Sequence, residues 1–354
     1  AFHVEIERAH YWPHVWSPGA DDWESFRQGG LLVIPEITLE RRLTPGFWVA
    51  SITFVLMLAL IATERVHKTL SALMALAVIL VVSLVGGSLN SDLFIFGFEQ
   101  ALDFVDFEVI FLLMGMMIVI GIIEETGIFQ WLAYYAYRMS RGQAWLLTII
   151  LMGIAAVATA LLDNVTTMLL LTPITIEIAL ALGINPVSLL LPTLLASNVG
   201  GLSTLIGTPV NIMIGSFVGL GFSDFVVNMG PGVLLAEAGL IAFILIRYSK
   251  EHRESSPGLS PALLRRLAED GQIKDITKLR RAGIVFVALL GLFIVGERLH
   301  LTPAVSAIVG AVVMLLWVHP DIEQMMGVVD WTTLIFFLAL FMTIGAVQEV
   351  GLIS

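Results

Sequence analysis

Six apolar runs decide what this chain can become. Residues 47–63, 69–90, 109–123, 232–246, 282–296 and 303–319 each carry few or no charged side chains. Several of them reach, or come close to, the roughly 17–25 residues that a bilayer span requires. Backbone polar groups in hydrocarbon must be satisfied internally, which leaves helices or a closed β-barrel. A barrel would show period-two alternation, and these runs show none. The expected fold is therefore an all-α polytopic membrane protein. Composition agrees, with 13% of 354 residues charged against roughly 25% in soluble domains, and a mean hydropathy of +0.93.

The net charge of −11 lies outside the runs, largely in residues 1–40 and the 91–108 loop. Cysteine is absent, so the redox compartment cannot be read. No signal-peptide pattern opens the chain, and residue 1 is Ala. Residues 1–46 are polar and Trp-rich, which suits an extramembrane cap or an interfacial segment. His3, His10 and His14 lie there near acidic groups. They read as solvated or packed surface before they read as metal ligands.

Residues 247–281 hold nine of the chain's 18 Lys and Arg. Positive loops stay on the cytoplasmic side, so this basic linker is placed inside. Ser260-Pro261 and Gly271 mark a helix start and stop within it. Arg65, Lys68, Arg138 and Arg141 mark two more inside loops, whereas the loops at 91–108 and 215–231 carry acids and no Lys or Arg. The orientation that follows is an N-terminus outside, in a bacterial inner membrane, with 248–281 cytoplasmic. Loop 318–330 falls inside on this count although it lacks Lys and Arg.

The chain also repeats itself. ERVHKTLSALMALAVIL (64–80) matches ERLHLTPAVSAIVGAVV (297–313), and DFEVIFLLMGMMIVIGIIEETG (106–127) matches DWTTLIFFLALFMTIGAVQEVG (330–351). Asp106, Gly121, Glu125 and Gly127 pair with Asp330, Gly345, Glu349 and Gly351 without a gap. Trp131–Arg141 reads as an amphipathic helix on the inner surface. The pair 144–162 and 166–182, joined at LDNVTT, fits the charge map only as a re-entrant hairpin. The first repeat then has an odd number of crossings, so the second must be inverted, as in many secondary transporters. The expected organisation is an N-terminal segment (1–46), a first repeat (47–247) with a hairpin at about 144–182 and a broken helix at about 187–217, a basic linker (248–281), and a partial second repeat (282–354).

Two polar clusters interrupt the apolar sequence. LLDNVTTMLLLTP (161–173) puts Asp163, Asn164, Thr166 and Thr167 among Leu, Val and Met. ASNVGGLSTLIGTPVNIMIGS (196–216) combines Gly200, Gly201, Gly207 and Pro209 with Ser197, Asn198, Ser203, Thr204, Thr208 and Asn211. Gly and Pro release carbonyls from the helical ladder, and such backbone is tolerated at membrane depth only where it is enclosed or lines a wet cavity. Freed carbonyls with Asn, Ser and Thr oxygens suit Na⁺, while helix N-termini at the same break suit an anion. The bland alternative is that small and hydroxyl residues let helices pack closely. Asp163 tips the balance, because an intramembrane carboxylate is costly and points to function. A carboxyl that is protonated when empty and ionised with Na⁺ bound would exchange one ion for the other. Glu124 and Glu125 are weaker proton carriers, at a helix end beside Gly127. Glu64, Arg65 and His67, with their copy at 297–300, read as anchors at span ends.

The two motifs resemble those of the ion transporter superfamily, which holds arsenite-pump membrane subunits, D-type sodium/proton antiporters, the P protein and divalent anion/sodium symporters. The likeness runs from about residue 47 onward and is strongest to the P-protein and arsenite-pump branch. It implies that Asp163, Asn164, Thr166 and Thr167 are ligands at a hairpin tip, and that Asn198, Gly200, Gly201, Thr204, Gly207 and Asn211 line the broken helix. Relatives often carry an acidic residue and two prolines where this chain has Gly207-Thr208-Pro209-Val210. By the same analogy a second hairpin and broken helix would need about 100 further residues, since such repeats are roughly equal in length. The implied activity is secondary ion transport, as Na⁺/H⁺ antiport or cation-coupled anion transport, in a homodimer, with no cofactor beyond the coupling ion. The competing reading is a non-transporting membrane subunit of a larger complex. No metal-ligand spacing, nucleophile elbow or phosphate loop points to an enzyme, and no feature points to nucleic acid.

Overall fold

The structure, a computed structural model, describes residues 42–162, 164–249, 275–299 and 301–353, with 4–6, 12, 14–19, 23, 26, 269 and 272–273 beside them. Ser260, Pro261 and Gly271 of the linker, and His3 and His10, lie outside the described residues. Two compact units emerge, residues 1–106 with 331–354, and residues 107–330.

In the first unit, strands β1 (Val4–Ile6) and β2 (His14–Trp16) pair antiparallel, Val4 opposite Trp16. Helix α1 (Pro45–Ala62) starts where Thr44 Oγ1 accepts from Phe47 N at 3.3 Å. Pro45 fills the first turn, where its missing N–H costs nothing. Helix α2 (Lys68–Leu89) packs on α1 and loosens into a π turn at Val82–Gly86. There the buried Ser83 Oγ accepts from Ile95 N (2.9 Å) and Phe96 N (3.0 Å) and donates to Phe96 O (2.7 Å). One hydroxyl thus fastens the returning chain to α2 before the short α3 (Phe98–Asp103). Helix α14 (Trp331–Glu349) packs on α1, α2 and α3. Thr69 Oγ1 donates to Thr332 O at 3.0 Å, tying the start of α2 to the start of α14.

The second unit runs α4 (Phe107–Glu125), α5 (Ile128–Ser140), α6 (Ala144–Leu161), α7 (Asn164–Ala181), α8 (Val187–Gly201), α9 (Pro209–Val218), α10 (Phe222–Arg247), α11 (Ile276–Gly296), α12 (Pro303–Val318) and α13 (Ile322–Val328). Among the described residues, α1, α2, α4, α6, α10, α11 and α14 are long and apolar enough to cross a membrane, and α7, α8, α9 and α12 are shorter apolar helices. The molecule is an all-α, multi-pass membrane protein.

The sequence repeat has a structural counterpart. Helices α4 and α14 are both 19 residues long. Each is followed by a glycine in the left-handed region, Gly127 (φ 82) and Gly351 (φ 75), where a Cβ would be strained. Helix α14 packs on the α1–α2 hairpin and α3, while α4 packs on the α11–α12 hairpin and α13. Each unit therefore combines a hairpin from one repeat with the long helix of the other.

Four elements differ from expectation. Residues 98–103, within the 91–108 stretch read as a loop, form α3. Residues 222–231 are helical and open α10, with Pro231 inside the helix, instead of forming a loop. Helix α5 starts at Ile128 and buries Phe129, Ala133, Ala136, Tyr137 and Ser140 against α6 and α7, so it belongs to the packed unit. Residues 322–328, read as loop, form α13, whose cap is Asp321 Oδ1 accepting from Glu323 N at 2.9 Å.

Candidate functional site

The two polar motifs meet. Helices α6 and α7 run antiparallel, because Leu147 and Leu151 early in α6 share one buried cluster with Ile178, Ala179 and Leu182 at the end of α7. Nearer the tip, Ala155 packs with Leu171 and with Ala133 of α5. Between the arms lie Leu162 and Asp163, and Asp163 is outside the described residues. Helix α8 packs more extensively on α6 than on any other element. Gly200 permits it: an added Cβ would sit 2.7 Å from the Ala156 carbonyl carbon. No side chain fits between two backbones at that distance.

Just past this crossing the helix breaks. Residues 202–208 are not helical, and α9 restarts at Pro209, capped by Thr208 Oγ1 accepting from Asn211 N at 3.3 Å. The buried Asn211 closes the gap, its Nδ2 donating to Gly201 O at 3.1 Å and Thr204 O at 2.8 Å. Thr204 Oγ1 donates to Ala160 O in the last turn of α6 and accepts from Gly207 N at 3.2 Å. Gly207 is equally constrained, since a Cβ there would lie 2.7 Å from Thr159 O. Thr204, Asn211, Gly200, Gly201 and Gly207 thus hold the break's own backbone to the end of α6.

The tip and the break are joined directly by Asn164 Nδ2, which donates to Asn198 Oδ1 at 2.8 Å. Asn164 is half-buried and Asn198 exposed, and each has a second amide atom outside that bond. Thr167 is fully buried and Thr166 half-buried in the first turn of α7. The helix N-termini of α7 and α9 therefore flank one polar patch. Leu205 of the break, α9 and the starts of α4, α10 and α12 line a cavity of about 380 Å³, with Glu108 and Asp224 in its wall.

Two buried polar residues lie outside the motifs that the sequence singles out. Thr159, the only hydroxyl in the last two turns of α6, lies 2.7 Å from Ala155 O and 2.8 Å from Ser197 O, so it bridges α6 to α8. Glu237 lies inside the apolar run 232–246 and is buried. Its signal, a single carboxylate within a span, was visible. Glu125, by contrast, sits 3.9 Å from Lys278 Nζ and ties the ends of α4 and α11. No group of three or more His, Cys, Asp or Glu among the described residues is arranged to hold a metal ion.

Fold and site together define a multi-pass helical membrane protein in which a helical hairpin docks on a broken helix. Comparison with known proteins gives its family. A citrate transporter (CitMHS) family model matches residues 58–354. The chain is 36% identical to an uncharacterized transporter of Mycobacterium tuberculosis, over 86% of this chain and 69% of that protein. It is 33% identical to the 46 kDa membrane protein of Mycobacterium leprae over the same shares. It is also 32% identical to the human P protein, over 84% of this chain and 43% of that one. The chain belongs to the citrate transporter family, within the ion transporter superfamily its motifs resemble, and is a membrane transporter and not an enzyme.

Proposed function

We propose that the chain is a secondary active transporter that carries a small carboxylate anion, with citrate the model substrate from the family's description, by alternating access coupled to H⁺ or Na⁺. The observation that carries this reading is the Asn164–Asn198 bond of 2.8 Å, which makes the hairpin tip and the helix break one polar site. Asp163, Asn164, Thr166 and Thr167 at the tip, with Asn198 at the break, are the proposed ligands. Gly200, Gly201, Thr204, Gly207 and Asn211 shape the backbone around them. Amide and carbonyl oxygens are hard donors suited to Na⁺, and helix N-termini favour an anion's negative charge. Asp163 holds a proton when the site is empty and releases it to water as a cation binds, because a nearby cation favours the carboxylate.

The proposed orientation has the N-terminal segment outside, α6 and α7 entering and leaving on the cytoplasmic side, and the basic connector 248–281 in the cytoplasm. The proposed domains are residues 1–46, a first repeat at 47–247, the connector, and 282–354 of an inverted second repeat. The test is flux in proteoliposomes with citrate, dicarboxylates, arsenite, Na⁺ and H⁺. Wild type is expected to move a carboxylate with pH-dependent kinetics. Asn198→Ala lowers that flux about tenfold, corresponding to roughly 1.4 kcal/mol, and Asp163→Asn abolishes its pH dependence. Unchanged pH-dependent exchange in Asp163→Asn would remove Asp163 from the coupling role. Absence of flux for every ion would sink the transport reading for these substrates.

A further inference from the structure

Helix α10 is the least enclosed of the long apolar helices. Only 6% of its most apolar stretch is buried inside the protein, against 56% for α4. Leu234, Leu235, Ala236, Ala238 and Gly239 are all exposed. Glu237, in their midst, points the other way and is 8% exposed. Neither carboxylate oxygen has a hydrogen-bond partner among the described residues.

Two contacts fix where along the neighbouring helix this carboxyl lies. Ile244 shares a buried cluster with Ala196 of α8 and Met152 of α6. At the other end, Phe225 and Leu205 both abut Gly215 of α9. Residue numbers therefore fall along α10 as they rise along α8 and the break, and Glu237, between Phe225 and Ile244, comes level with the end of α8. That is the stretch holding Ser197, Asn198, Gly200 and Gly201. Ser197 Oγ, fully buried, also has no partner among the described residues.

The charged groups of the surrounding helices lie elsewhere. Neither α6 nor α8 carries a titratable side chain. On α11 the cations are Lys278, Arg280 and Arg281 in its first turns. Lys278 faces Glu125, and Arg281 Nη1 donates to Trp317 O at 3.1 Å. On α10 itself, Asp224 Oδ2 accepts from Gly221 N at 3.0 Å, and Arg247 stacks over Tyr248. An ionised carboxylate with no partner in such surroundings costs several kcal/mol, and even the neutral acid leaves polar atoms unsatisfied. A leucine would pack there at no such cost.

We propose that Glu237 is a second intramembrane proton site of this transporter, protonated while buried at the level of the end of α8 and deprotonated when movement at the helix break opens it to water. This rests on the transport reading above and extends it to a residue outside the tip and the break. The experiment compares wild type, Glu237→Gln, Glu237→Ala and Asp163→Asn in proteoliposomes, with citrate uptake and an entrapped pH dye followed across a range of external pH. Glu237→Gln mimics the protonated acid, so it is expected to keep citrate binding while losing proton movement and flattening the pH profile of uptake. Infrared difference spectra should show, beside the component that Asp163 contributes, a protonated-carboxyl component that titrates in wild type and Asp163→Asn and is lost from both Glu237 variants. A band and pH profile unchanged in Glu237→Gln would overturn the proposal. If both Glu237 variants fail to fold, Glu237→Asp takes their place: a shifted carboxyl component supports the proposal, and an unchanged one overturns it. Failure of wild type to transport any substrate would instead strike the transport reading, while the infrared titration would still decide whether Glu237 takes a proton.

Discussion

At the scale of single residues, the helix break is held by side chains that sequence motifs nominate as ligands. Asn211 spends both amide hydrogens on Gly201 O and Thr204 O. Thr204 spends its hydroxyl on Ala160 O. Their first role is to satisfy backbone groups that the missing helical turn leaves open, which in hydrocarbon would cost several kcal/mol each. Asn211→Ala removes two hydrogen bonds and strands two carbonyls. It is expected to destabilise the protein by about 2–4 kcal/mol, at roughly 1–2 per carbonyl, measured as a fall in thermal midpoint in detergent. Asn198→Ala, at an exposed position, is expected to leave that midpoint nearly unchanged while lowering flux. Equal destabilisation by the two substitutions would contradict this division between brace and ligand.

At the scale of elements, the apolar runs reveal the helices because length and hydrophobicity are what a bilayer selects. The break at 202–208 was legible from Gly200, Gly201, Gly207 and Pro209. The helical start of α10 was not, because Gly230-Pro231-Gly232 looks like a loop, yet a proline inside a membrane helix is tolerated when neighbouring groups adjust. Helix α5 was seen as amphipathic, but that pattern does not say whether its apolar face meets lipid or another helix. Helices α3 and α13, of 6 and 7 residues, are too short to display a period. At the site, Asn164 and Asn198 could each be nominated, but 34 residues of separation gave no way to pair them. Element ends also carry measurable chemistry. Asp275 Oδ1 caps α11 by accepting from Lys278 N (3.0 Å) and Thr277 N (2.8 Å), and these bonds hold its carboxyl below the ordinary value of 3.8. A lowered value means the cap contributes fully above that ordinary value and is lost as pH falls through the lowered one. Asp275→Ala is therefore expected to reduce thermal stability slightly at neutral pH, with the difference from wild type vanishing in strong acid. A difference that persisted there would show that the ionised carboxylate is not what caps the helix.

At the scale of the whole molecule, the repeat is an exchange of parts. A Cβ added to Gly121 of α4 would lie 3.2 Å from Val328 Cβ, and one added to Gly345 of α14 would lie 2.6 Å from Phe104 Cβ. Gly121 and Gly345 are equivalent in the gapless alignment of 106–127 with 330–351, and the same offset carries Phe104 onto Val328. Each long helix thus buries its glycine against the residue two places before the partner repeat's Asp, and neither repeat completes its own hairpin. Such reciprocal packing explains why the glycine persists in both copies: the approach leaves no room for a larger side chain, whichever copy supplies it. It also makes a test possible without background, because the chain has no cysteine. Disulfides need Cβ atoms about 3.5–4.5 Å apart, which both pairs reach with a small adjustment. Gly121→Cys with Val328→Cys, and separately Gly345→Cys with Phe104→Cys, should each form a disulfide in the folded protein. With a protease site placed in the 250–274 connector, either pair should hold the two fragments together on a non-reducing gel and release them on reduction. Cross-linking by one pair and not the other would mean that the repeats do not exchange their long helices reciprocally.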